Sequence, residues 1–138
     1  MDTIRDRIAI CELKDRYCRL LDTKQWDDWA DLFIDDFVLD TSVAGGPPPI
    51  TGRAPALAMV RGMLETMVTV HQVRQPEISV DRNHANAIWA MQDRLVFGDG
   101  TRLGGFGHYT ESYVRQGGDW KIASSTLTRL HLEMKPPA

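Results

Sequence analysis

Apolar residues are spaced in two ways along this chain, and the change comes just before Val68. Ahead of it they recur every three or four positions, the period of a helix packed on one side. Beyond it they alternate, the period of a strand with one buried face. Thr3 to about Asp22 reads as an amphipathic helix. Ile4, Ile8, Cys11 and Cys18 fall on one side, Ile10, Leu13, Tyr17 and Leu21 adjoin it, and Arg5, Glu12, Arg16 and Arg19 form a solvated stripe opposite. Thr3 with Asp6 makes a capping-box pattern at its start. A second, short helix is predicted over Trp26 to Phe33, and Phe37 to Asp40 reads as a short strand. Gly45-Gly46-Pro47-Pro48-Pro49 interrupts both periods and is expected to be a mobile loop. A third helix follows from about Ala54 to Thr66.

Four long strands are then predicted: Val68 to Val80, His84 to Phe97, Leu103 to Arg115 and Trp120 to Leu132. The segments between them, Asp81-Arg82-Asn83, Gly98-Asp99-Gly100-Thr101 and Gln116-Gly117-Gly118-Asp119, carry the glycine and Asx chemistry of hairpins. Helices first and strands afterwards make an α+β fold rather than α/β. A sheet of such strands twists, and it packs most economically by curling around the amphipathic helices. No repeat or linker divides the chain, so residues 1–138 are expected to form one domain.

Composition narrows the function classes. The chain has 138 residues, 43% hydrophobic and 25% charged, with a net charge of -3. Its Lys and Arg are scattered, which argues against a nucleic-acid partner. No apolar run approaches the roughly 20 residues of a membrane span, and the charged start MDTIRDRIAI lacks a signal peptide's apolar stretch. A cytoplasmic protein is expected. Cys11 and Cys18 lie two helical turns apart, about 10 Å along the axis, too far for a disulfide. They read as free, core-packing thiols. No phosphate-binding glycine loop, nucleophile elbow, CxxC pair or zinc-helix histidine spacing is present, so neither a metal nor a cofactor is expected.

Candidate chemistry lies in ionisable groups placed where the pattern asks for apolar ones. Asp22 ends the first helix in register with its apolar row, where the helix dipole disfavours a carboxylate. Asp93 shares a strand face with Ala85, Ala87, Trp89, Met91 and Leu95. It is either a site acid or a buried acid satisfied by a backbone or arginine partner. His71 shares a face with Thr69 and Val73, and His108 with Phe106 and Thr110, as a pocket wall; His84 and His131 are expected in solvent. Arg129 is a potential oxyanion partner. It has the opposite parity to Trp120 and Ile122, so a bulge is needed to align all three.

Taken as a set, the segments IAICELKDRYCRLLDTKQWDDWADLF, VHQVRQPEISV, ANAIWAMQDRLVF and GFGHYTESYVRQGGDWKIASSTLTRLHL resemble the SnoaL-like branch of the nuclear transport factor 2-like superfamily. The resemblance covers nearly the whole chain. It implies a cone: three helices backed by a strongly curved, mostly antiparallel sheet, with a pocket at the open end. Within that superfamily the chain is similar to the cofactor-free eliminases: scytalone dehydratase, bile-acid dehydratase and hexachlorocyclohexane dehydrochlorinase. Their catalytic His–Asp pair matches His71 and Asp22. Tyr17 matches a site tyrosine or lysine, Asp93 a second acid, and Arg129 a strand arginine. A second tyrosine of scytalone dehydratase has no counterpart in Asp36-Phe37-Val38-Leu39, which argues against scytalone itself.

The resemblance therefore implies a dehydratase-type lyase, and the expected pocket walls suit a small apolar substrate, cyclic or polyketide-, steroid- or aromatic-like, with one polar end. His71 would be the general base, steadied by Asp22. Tyr17 or Asp93 would assist the leaving oxygen, and Arg129 would bind a carboxylate or oxyanion. Trp89, Met91, Phe106 and His108 would line the pocket. A double-bond isomerase, a non-catalytic ligand-binding module and an oxygenase accessory subunit stay open. Val68, Val70, Ile88, Ala90 and Val96 would form an apolar outer face suited to a homodimer or homotrimer.

Overall fold

The structure is a computed structural model that describes residues 3–138. Helix α1 (Thr3–Asp22) is followed by the single-turn-plus helix α2 (Trp26–Ala30), strand β1 (Phe33–Asp40), a short 3-10 turn (Ser42–Ala44), β2 (Ile50–Thr51) and α3 (Arg53–Leu64). The long strands are β3 (Val68–Asp81), β4 (His84–Val96), β5 (Arg102–Gln116) and β6 (Asp119–Lys135). They form one sheet in the order β2-β1-β6-β5-β4-β3. All neighbours are antiparallel except β1 with β6. The sheet is not closed: β2 and β3 are its edges. No helix among the described residues is long and apolar enough to cross a membrane.

α1 lies across the inner face of this sheet. It reaches β5 and β6 through Asp6, β5 again through Lys14, and β3 through Asp22. The core around it includes Ile10, Leu13, Leu21, Trp29, Phe37 and Ile122. Burying each such side chain contributes roughly 1.5–3 kcal/mol, the main favourable term in the fold. On β4 the inward row runs as the alternation requires, Ala85 through Leu95 with Asp93 among them. On β6, Trp120 and Ile122 are buried, and Ser125 and Arg129, of the other parity, also turn inward. The register with β5 shifts between Ser112 and Tyr113, and this bulge reconciles the two parities.

The structure corrects one helix face and several element boundaries. The buried side of α1 is the row of Asp6, Ile10, Leu13, Lys14, Tyr17 and Leu21. Ile4 and Ile8 instead stand exposed, Ile4 by 67%. α2 stops at Ala30, and Phe33 opens β1 rather than ending the helix. Gly45–Pro49 stays irregular, as a loop, and joins the 3-10 turn to the short strand β2, which the sequence did not suggest and which pairs with Val38 and Leu39. β6 continues to Lys135, three residues beyond the expected end.

Candidate active site

α1 ends in a Schellman motif. The Gln25 N–H donates to the Leu20 carbonyl and the Lys24 N–H to the Leu21 carbonyl. Lys24 takes the left-handed position of that motif, at φ 60°. The cap directs Asp22, the last helical residue, at the edge strand β3. There the Asp22 carboxylate accepts the His71 backbone N–H at Oδ2 (2.7 Å) and the Thr69 hydroxyl at Oδ1 (2.9 Å). The His71 ring nitrogen Nδ1 lies 2.7 Å from Oδ1. A carboxylate only accepts, so Nδ1 carries the proton, and in the neutral ring Nε2 keeps its lone pair.

His71 stands directly opposite Asp93 in the β3–β4 register. Asp93 accepts two hydrogen bonds from Arg129, Nη1 to Oδ1 at 3.0 Å and Nη2 to Oδ2 at 2.8 Å. Arg129 comes from β6 and crosses β5 at Gly105, where a Cβ would strike its guanidinium. The pair and its hydrogen bonds push the Arg129 pKa up, against the opposing effect of burial. Asp22, His71, Asp93 and Arg129 thus form a polar line from the helix end across the sheet.

Tyr17, on the buried row of α1, is enclosed by other side chains. Its ring contacts those of Trp29, Phe33 and Tyr109. The Lys14 ammonium stands 3.6 Å from the Tyr17 ring centre and 3.9 Å from that of Tyr109. Burial pushes both phenol pKa values well above the usual range, with the Glu111 charge adding to the effect on Tyr17. Both are therefore neutral hydrogen-bond donors at any ordinary pH. Lys14 pairs with Glu111 at 2.9 Å, both side chains wholly buried. Glu111 also accepts from Ser125 and Tyr113, and Tyr113 accepts from the Trp89 indole.

The opening that reaches His71 is a cleft of about 460 Å³ between α1 and β3, lined also by Asp15, Cys18, Val73, Arg74 and Gln92. Burial pushes the Cys18 thiol up to about 11, so it is protonated and unreactive at neutral pH. Cys11 and Cys18 are both free thiols. Among the described residues no three His, Cys, Asp or Glu side chains converge as a metal-ligand set.

The structure therefore brings Asp22, His71, Asp93 and Arg129 together and packs Tyr17 among aromatic rings, off the lining of the cleft. It places the expected lining residues differently. Trp89 and Met91 point inward but are packed in the core. Phe106, 47% exposed, and His108 lie on the outer face of β5, since the inward row there is Gly105, Gly107, Tyr109, Glu111 and Tyr113. Four residues escaped the sequence reading, Lys14, Lys24, Tyr109 and Glu111, and Thr69 entered it only as a neighbour of His71 on the strand face. For two of them a signal existed. Lys14 and Tyr17 are three apart on the α1 row that also carries Leu21, and Glu111 alternates with two tyrosines.

Known structures show the same arrangement of chain. The Kfla4162 protein of Kribbella flavida superposes with a TM-score of 0.88 at 26% identity, over 96% of this chain and 95% of that one. A candidate scytalone dehydratase of Novosphingobium aromaticivorans gives 0.85 at 20% identity, over 95% and 88%. A type 2 hexachlorocyclohexane dehydrochlorinase gives 0.84 at 21% identity, over 99% and 92%. At these lower identities the likeness establishes the fold. The sequence of residues 2–126 matches the SnoaL-like domain, and the chain belongs to that family.

Proposed function

We propose that the protein is a cofactor-free lyase that eliminates water, or a comparable leaving group, from a small cyclic molecule. The observation that carries this is the 2.7 Å contact between His71 Nδ1 and Asp22, which leaves Nε2 as a free base beside an open cleft. Dehydratase and dehydrochlorinase relatives of the same fold support the reaction class. Nε2 takes a proton from a carbon made acidic by an adjacent carbonyl, and Asp22 stabilises the imidazolium that forms. The electron pair left on carbon makes the new double bond as the β-hydroxyl departs. That hydroxyl takes a proton from the imidazolium and leaves as water, which returns His71 to its starting form.

Pairing with Arg129 bears on the roles of the other groups. Both Asp93 oxygens already accept from the guanidinium, and Tyr17 is closed in by Trp29, Phe33 and Tyr109, so the His71 imidazolium is the better donor to the leaving oxygen. Arg129 is likewise neutralised by Asp93, which favours an uncharged substrate over a carboxylate.

The test is a panel of cyclic β-hydroxy ketones incubated with the chain in D₂O and followed by mass. Loss of water supports elimination. Deuterium uptake without loss of water gives the double-bond isomerase instead. Tight binding with no change of mass leaves a ligand-binding module.

Self-association belongs to the same reading. Val68, Val70, Ile88, Phe106 and Leu132 are exposed on the sheet, an apolar face that a second copy would cover. Light scattering is expected to give a dimer or trimer, and a clean monomer contradicts it.

A further inference from the structure

Lys24 is an unexpected residue for its position. The left-handed site of a Schellman motif is ordinarily glycine, because any side chain there crowds the following backbone. Lys24 nevertheless occupies it, at φ 60°. Its side chain does not trail into water: Nζ donates to the Thr69 hydroxyl at 2.7 Å. Thr69 in turn donates to Asp22 Oδ1, the same oxygen that meets the His71 ring.

Donor and acceptor roles along this path are fixed by chemistry. An ammonium only donates, so the Thr69 oxygen must accept from it. The single Thr69 proton is then directed at Asp22. The carboxylate, taking that bond and the His71 backbone N–H, stays an acceptor toward the ring. Each link leaves the next with one role, and the last link puts the proton on Nδ1.

We infer that Lys24 and Thr69 are positioning residues, which hold the Asp22 carboxylate as acceptor and so keep His71 in the tautomer with a free Nε2. The inference rests on the reading of His71 as a base. It also accounts for the cap, in which a lysine is kept at a conformational cost that a glycine would avoid. A residue present only to end the helix would have no such reason.

Lys24→Gly separates the two explanations, because it relieves the cap and removes the amine. The readout is ring ¹⁵N NMR of the histidines, with His71 identified by its loss in His71→Ala, beside chemical denaturation of the same samples. The native chain is expected to show a protonated Nδ1 and an unprotonated Nε2 as two widely separated signals. In Lys24→Gly the denaturation midpoint is expected to hold or rise while the two signals move toward an exchange average. Thr69→Val is expected to average the signals as well, and Thr69→Ser to restore them. Native ring signals in both Lys24→Gly and Thr69→Val would overturn the inference. So would averaging in Thr69→Ser as complete as in Thr69→Val. These spectra need no substrate. A chain that eliminates nothing but responds in this way refutes the lyase reading and leaves the positioning roles standing.

Discussion

Lys14–Glu111 and Asp22–His71 each set a basic group against a carboxylate, at 2.9 and 2.7 Å, but their surroundings differ. The first pair is sealed. Lys14 lies over two tyrosine rings, and both Glu111 oxygens are engaged by Lys14, Ser125 and Tyr113. Nothing in it faces a cleft. The second pair sits at the sheet edge, where His71 borders an opening and keeps one ring nitrogen unengaged by Asp22. A closed network of satisfied groups specifies packing, whereas a half-open one retains a lone pair for chemistry. Burial of charge alone therefore does not mark the site; the leftover valence does.

Breaking the sealed pair tests that contrast with the largest effect on stability. Lys14→Met leaves the Glu111 carboxylate buried without its cation, which is expected to cost about 3–5 kcal/mol in denaturant unfolding. Adding Glu111→Leu should return only part of the loss, because the Ser125 and Tyr113 hydroxyls then lack their acceptor. Full recovery in the double variant would mean that the hydroxyls never mattered.

A smaller effect is expected from Gly105→Ala. The new methyl occupies the path of the Arg129 guanidinium over β5, so the ion pair with Asp93 must shift, at about 1–3 kcal/mol. Gly104→Ala is the control. A Cβ there meets only the Asp93 carbonyl oxygen, at 3.9 Å, and the change should stay within about 0.5 kcal/mol. Equal effects at the two glycines would remove the special role of Gly105.

Much of this was legible in the sequence. The two hydrophobic periods place α1, α3 and the four long strands within a few residues, because long, strongly patterned segments leave little choice. Asp93 stands out as a carboxylate on an apolar row, and that row is buried; Asp22 is picked out by a row whose Ile4 and Ile8 prove exposed, and only its place at the helix end holds. What pattern reading misses is polar residues that satisfy each other inside. Giving Asp6 to the helix cap and leaving Lys14 off the buried side turns the apparent apolar side of α1 toward Ile4 and Ile8. The structure instead buries both charges against Arg115, Trp120 and Glu111. On β5, Gly105 and Gly107 put no side chain on the inner row beside Phe106 and His108, so those two read as pocket walls when they face outward. The roles of Lys24 and Thr69 depend on contacts 45 and 47 residues away in the chain, which no local spacing encodes.

The most direct test of the central claim is the rate of water loss by His71→Ala, measured on a substrate of the native chain, with unfolding followed on the same preparation. A general base of this kind contributes roughly 10²–10⁴ in rate. A loss of at least about 100-fold is expected in a chain that remains folded. A folded variant that keeps more than about a tenth of the native rate would contradict it, because His71 could not then be the base.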